Sequence, residues 1–263
     1  MVHRLPEREP VRGVTSLAGK IYLLRTKELE QVEVYDVITF TLHIRLTVPN
    51  AKTLVDMTSC EHNCCIYIAD ADGNCMHKRE AESASFSRWE IHDQPCGLSV
   101  NTAHNVLVTC LGDSKIKEFS SHGDLLREVI LHDEVVNPYH AIQIPSTEFI
   151  LCFGGIHTIR GVRKLSADGL RSVESDGGAH GPYTGQQYRP CHLALDDNGC
   201  VLVSHSDCKR VTLLSPRLQY VRQIVSPEQL KFCANKIHLD VRRRLLYVED
   251  YTRVVVIRIN KQS

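Results

Sequence analysis

Two Pro-X-His triplets, Pro138-Tyr139-His140 and Pro190-Cys191-His192, place an imidazole behind a proline at two points of the chain. Imidazoles brought together can hold a metal or relay protons. A third matching histidine is missing, because the corresponding position reads Gly97 upstream and Lys236 or Ile237 downstream. The soft-ligand run Cys60-Glu61-His62-Asn63-Cys64-Cys65 lacks the second Cys or His pair at knuckle spacing that completes a zinc site. Loop and core cysteines are therefore the expectation there, with no metal. No Gly-x-Ser-x-Gly elbow, His-Glu-x-x-His or phosphate-cradling glycine loop is present. Gly154-Gly155 and Gly177-Gly178 read as turns. Asp70, Asp72, Asp196 and Asp197 sit where Asp bonds local backbone. The chain is accordingly expected to be non-catalytic and to need no cofactor.

The elements that carry these residues are short strands. The clearest unit runs from Pro190 to Ile224. It holds four β-branched apolar runs separated by turn chemistry such as Asp197-Asn198-Gly199, which reads as an antiparallel meander with strands a to d. The pattern recurs with strand-a anchors at 14, 54, 98, 141, 193 and 237, spaced 40, 44, 43, 52 and 44 residues apart. A period of that size made of four short strands marks propeller blades. The chain is expected to be all-β, a single six-bladed β-propeller over 1–263. Its blades fall near 13–50, 51–94, 95–138, 139–189, 190–232 and 233–263, and the 52-residue interval marks an insertion. The last blade offers three strands, so the segment before Val14 is expected to supply the fourth, although Pro6 and Pro10 are poor strand residues.

The unit Pro190…Gly199…Val203…Arg210-Val211 resembles the NHL repeat, which builds the six-bladed propellers of tripartite-motif and Brat-type proteins. Asp70 and Asp250 stand where that repeat usually has an Asp after strand b, whereas blade five has His205. The resemblance implies a structural Arg at 210 and 253, and a role in partner recognition, without the RING, B-box or coiled-coil segments of such proteins. Single-stranded RNA binding, as in Brat-like members, is the alternative it implies. A metal-dependent lyase or hydrolase at the channel mouth comes third.

Composition sets the outer bounds. In 263 residues, 31 Lys+Arg balance 31 Asp+Glu, and 43% of residues are hydrophobic. Disordered tails and fibrous rods are excluded, and zero net charge gives no global argument for nucleic acid. Eleven scattered cysteines, an odd number, and a charged, proline-broken start point to reduced thiols in a cytoplasmic monomer.

In a propeller meander the b–c and d–a loops share one face. Lys27, Lys115, Tyr139, His140, Arg160, Tyr188, Arg189, His192, Lys209, Arg210, Phe232, Lys236, Tyr251 and Arg253 are expected there. That basic and aromatic mixture suits a protein interface or stacked bases. Arg242-Arg243-Arg244 falls on the opposite face, in an a–b turn, and reads as a solvated run.

Overall fold

The computed structural model describes residues 2–26, 30–154, 160–175 and 189–260. Lys27, Gly155, Gly177, Gly178 and Tyr188 lie outside the described residues. Six separate four-stranded antiparallel sheets form a six-bladed β-propeller. No α-helix occurs among the described residues, only a short 3-10 turn at Pro227–Gln229. Among the described residues no helix is long and apolar enough to cross a membrane.

Strands a to d are Val11–Leu17, Lys20–Arg25, Gln31–Asp36 and Leu42–Thr47 in blade one, and Leu54–Cys60, Cys65–Asp70, Cys75–Glu80 and Ser87–Glu90 in blade two. Blade three has Pro95–Val100, Val106–Cys110, Lys115–Phe119 and Leu125–Ile130; blade four has Pro138–Gln143, Phe149–Phe153, Gly161–Leu165 and Ser172–Ser175. Blade five has Pro190–Leu195, Val201–His205, Arg210–Leu214 and Tyr220–Val225. Blade six has Ile237–Asp240, Leu245–Asp250 and Arg253–Arg258, and takes its outer strand from Val2–Arg4.

Strand b is apolar on both faces because both faces are covered. Ile21 and Leu23 pack toward blade six, while Tyr22 and Leu24 pack toward blade two. Continuous apolar runs, rather than alternation, follow directly from that double burial. Six apolar clusters result, one at each boundary between neighbouring blades. Strand d lies at the rim and is largely exposed, as in Leu125–Ile130.

The ring closes through the N-terminal strand, with Val2 opposite Ile257 and Arg4 opposite Val255. The strand ends before Pro6, which cannot donate to the ladder. Buried Arg25 then latches the segment that follows. Its guanidinium donates to the carbonyls of Glu9 (2.6 Å), Thr252 (2.8 Å) and Pro6 (3.1 Å), and its Nε to Glu33 Oε2 (2.9 Å). One side chain thus ties blade one, blade six and the leading segment together.

Candidate functional site

Strand a of each blade lines the axis, and a register break aims one of its residues inward. The pairing of strands a and b skips a residue between Val11 and Gly13, Leu54 and Asp56, Pro95 and Gly97, Pro138 and His140, and Pro190 and His192. In blade six, Lys236 takes the same place, its carbonyl accepting from Glu249 N at 2.8 Å. Such bulges re-aim a side chain. The axial ring therefore reads Gly13, Asp56, Gly97, His140, His192, Lys236. Gly97 makes room for its neighbour, since a Cβ there would stand 3.0 Å from His140 Cα.

The four side chains of this ring meet. The imidazoles of His140 and His192 stack with centroids 3.6 Å apart and planes inclined by 29°. His192 Nε2 lies 3.4 Å from Asp56 Oδ2, which also accepts from Leu98 N at 2.8 Å. Lys236 Nζ stands 3.1 Å from Asp56 Oδ1. His140 Nε2 lies 2.8 Å from the Leu98 carbonyl, and because a carbonyl only accepts, His140 carries its proton on Nε2. Neither Nδ1 has a hydrogen-bond partner.

Burial shapes the electrostatics. It would push the Asp56 carboxyl up, but the Lys236 ammonium and then His192 outweigh it and hold Asp56 well below the usual carboxylate range. Burial drives His140 well below an ordinary histidine, and proximity to His192 adds to the drop. His192 is lowered by burial too, with Asp56 opposing. At neutral pH the cluster is one carboxylate, one ammonium and two neutral imidazoles, with no net charge.

The cluster separates two spaces. On the b–c and d–a side, a cavity of about 540 Å³ is lined by Arg12, Glu30, Asn235, Lys236 and Glu249 among others. Burial raises Glu249 to about 7 and pushes Glu30 up as well. Beyond the histidines, a cavity of about 290 Å³ runs past Ser59, Ser99, Asn101 and His238.

His140 and His192 are thus brought together as their matched positions imply, but not on the loop face. They sit in the channel, 1% and 6% exposed. Lys236 joins them instead of facing outward. Asp56 is the member of the axial cluster that sequence reasoning missed. Its signal was available: moving the blade-two anchor from Leu54 to Met57 aligns Asp56 with His140 and His192.

The remaining face candidates split into two kinds. Lys115 is held by Asp93 and Asp113, both at 3.1 Å, and Arg253 by Asp250 at 2.7 Å, so both act within their own blades. Arg160 and Arg189 approach the same carboxylate, Asp207, at 3.3 and 4.0 Å, and Lys209 donates to the Lys231 carbonyl at 2.9 Å. The Arg189 guanidinium also lies over the Tyr139 ring, 5.6 Å from its centroid. Exposed Phe232 and Tyr251 meet edge to face at 5.6 Å, with Lys231 Nζ 4.9 Å from the Phe232 ring. The Cys60–Cys65 run forms no ligand group. Cys60 and Cys65 face each other inside the a–b hairpin, Cys64 is exposed, and His62 stacks on His104 at 4.0 Å. All eleven cysteines are free thiols.

No family model and no curated protein matches the sequence. Solved structures share the architecture. The chain resembles Kuenenia stuttgartiensis hydrazine synthase (TM-score 0.71, 13% identity, covering 99% of this chain and 98% of that one). It also resembles U3-55K (0.71, 11%, 98% and 98%) and a streptogramin B lyase (0.67, 11%, 99% and 98%). At such identities the likeness is one of fold.

Proposed function

We propose that the chain is an NHL-type propeller that acts as a non-catalytic scaffold, binding a protein partner through the face made by its b–c and d–a loops. The observation that carries this reading is the aromatic pair Phe232–Tyr251 on that face, exposed by 39% and 44%. Strand side chains are committed to packing between blades, so exposed rings on rigid loops are the groups free to anchor a partner. Tyr139, half-buried under Arg189, adds a second anchor across the same face.

The pairing of the cations favours protein over RNA. Lys115, Arg160, Arg189 and Arg253 each face a carboxylate, and phosphate would have to displace those partners. A catalytic reading would centre on the axial cluster, where Asp56 is already neutralised by Lys236. Free thiols throughout suit an intracellular setting.

The test is a crosslinking pull-down from native lysate, with and without nuclease, using wild type, Tyr139→Ala/Tyr251→Ala and Arg189→Glu/Lys209→Glu. Nuclease-resistant capture lost chiefly in the tyrosine variant supports the reading. Capture lost with nuclease, or chiefly in the charge variant, would assign the face to RNA.

A further inference from the structure

Every blade fills the same three positions next to its b–c turn: the last residue of strand b, and the first and third of strand c. Blade one places Arg25 there with Glu33, an ion pair at 2.9 Å. Blade three places Lys115 and Lys117, both on Asp93. Blade four places Phe153 under Arg163, with the guanidinium 5.2 Å from the ring. Blade five joins His205 Nε2 to Thr212 Oγ1 at 2.8 Å. Blade six answers Asp250 with Arg253 at 2.7 Å.

Blade two differs. Its strand-b residue is Asp70, fully buried like Asp250, and it does the same work on the preceding loop. Asp70 accepts from Lys52 N and Thr53 N of that loop and from Gly73 N of its own turn, each at 2.9 Å, while Asp250 accepts from Lys231 N, Phe232 N and Cys233 N. Where blade six supplies an arginine, however, blade two supplies Cys75, and the third position is His77. The buried carboxylate thus lacks the cation its counterpart has. Arg88 reaches the Cys75 thiol from strand d, but its side chain is 41% exposed and also donates to Glu90 Oε1 at 2.9 Å and the Gly73 carbonyl at 3.4 Å.

We infer that Asp70, Cys75 and His77 form a binding site for a divalent ion of the zinc class, which takes the place of the missing arginine. Three donor atoms define it: Asp70 Oδ2 to His77 Nε2 is 3.5 Å, His77 Nε2 to Cys75 Sγ 3.7 Å, and Cys75 Sγ to Asp70 Oδ2 4.0 Å. A point equidistant from those corners lies about 2.2 Å from each, against zinc bonds of about 2.3 Å to sulfur, 2.0–2.1 Å to nitrogen and 2.0–2.2 Å to oxygen. All three residues are buried and form one of two groups of metal-type donors among the described residues, the other being Asp56, His140 and His192. An oxygen, a nitrogen and a sulfur favour a borderline-soft ion over calcium or magnesium. Binding converts the Cys75 thiol to thiolate and releases its proton to solvent, so the site gains one net positive charge. Gly73 keeps the turn over the site closed tightly, since a Cβ there would fall 2.6 Å from Asp70 Cγ.

The experiment titrates the tag-free, chelator-washed full chain with Co²⁺. One equivalent should bind and produce a thiolate-to-cobalt charge-transfer band in the near ultraviolet, which Zn²⁺ then abolishes by displacement. Cys75→Ser should remove the band, and His77→Gln should weaken uptake at least tenfold; Cys64→Ser, at an exposed thiol, should leave both unchanged. Circular dichroism checks that each variant folds, and if Cys75→Ser does not, the wild-type band and the His77→Gln titration decide. A wild-type chain that shows no thiolate band, including one that takes up cobalt through nitrogen and oxygen alone, overturns the proposal, as does a band that survives Cys75→Ser.

Discussion

The axis and the loop face of this propeller hold similar residue types in opposite circumstances. At the axis, Asp56, His140, His192 and Lys236 are largely withdrawn from water and in contact with one another, the two Nδ1 atoms remaining unpaired, so their charges sum to zero within a few ångströms. On the face, Tyr251 and Phe232 are 44% and 39% exposed, the rings in contact with each other and Lys231 over Phe232. A buried polar cluster is sensitive to the loss of any member, because the survivors stay buried without partners. An exposed aromatic costs the fold little when truncated and is felt when something binds. Position on the scaffold, rather than residue type, decides whether a change is read as stability or as recognition.

The largest expected effect is at the axis. Asp56→Ala leaves Lys236 and His192 without their carboxylate and should cost about 3–5 kcal/mol, seen as a fall in Tm of roughly 2–4 °C per kcal/mol. A Tm within about 2 °C of wild type would show that water reaches the cluster and that the contrast with the face is false.

Next comes the face. Tyr139→Ala/Tyr251→Ala should weaken partner binding at least tenfold, about 1.4 kcal/mol or more; because Tyr139 packs on the cluster between blades four and five, it is Tyr251→Ala alone that should leave thermal melts close to wild type. A large drop in Tm for Tyr251→Ala with affinity retained would make that tyrosine part of the packing.

Much of this contrast was legible in the sequence, and the illegible part has physical causes. Short β-branched runs at a fixed period give the blades, and the two Pro-X-His triplets give the stacked imidazoles, because both are local patterns. Asp56 escaped because the bulge shifts strand-a register, and an anchor set three residues early at Leu54 hid its alignment with His140. The carboxylates that stand beside the cations read for the face were only partly legible. Asp113 and Asp250 lie beside Lys115 and Arg253 in the chain, but Asp207 reaches Arg160 and Asp93 reaches Lys115 from other loops, and no local pattern reports those partners.

A smaller effect should follow pH. His140, His192 and His77 are held below the ordinary histidine range, chiefly by burial, and His238 is lowered to about 4 for the same reason. Groups whose folded pKa is depressed contribute stability above the unfolded value of about 6.5 and lose it as pH falls through that value toward the folded one. Glu249, raised to about 7, works the other way over the same interval, so the measurement uses Glu249→Gln, whose Tm should drop between pH 7 and pH 5, each imidazole contributing on the order of 1 kcal/mol. A Tm that rises on acidification would mean the imidazoles are charged in the fold.

The smallest effect sharpens the comparison from the far side. Arg242→Glu/Arg244→Glu changes the a–b turn of blade six, where the Arg242 side chain is 81% exposed and its nearest carboxylate, on Glu61, is 4.0 Å away. Both stability and partner capture should stay within about 0.5 kcal/mol of wild type. Capture abolished by this change, with the tyrosine variant still binding, would move recognition to the other face.

The seam of blade six also sets an order in time. Val2–Arg4 precedes every other strand of the ring in chain order, yet its partners, Val255 to Ile257, emerge only after all the others. The contact most distant in sequence is therefore the last that can form during synthesis. Until it does, strand c of blade six presents a bare edge, and the Arg25 guanidinium waits for the carbonyl of Thr252. Loops this long close slowly, so the interval before the ring shuts is when the nascent chain is most open to pairing with another copy of itself.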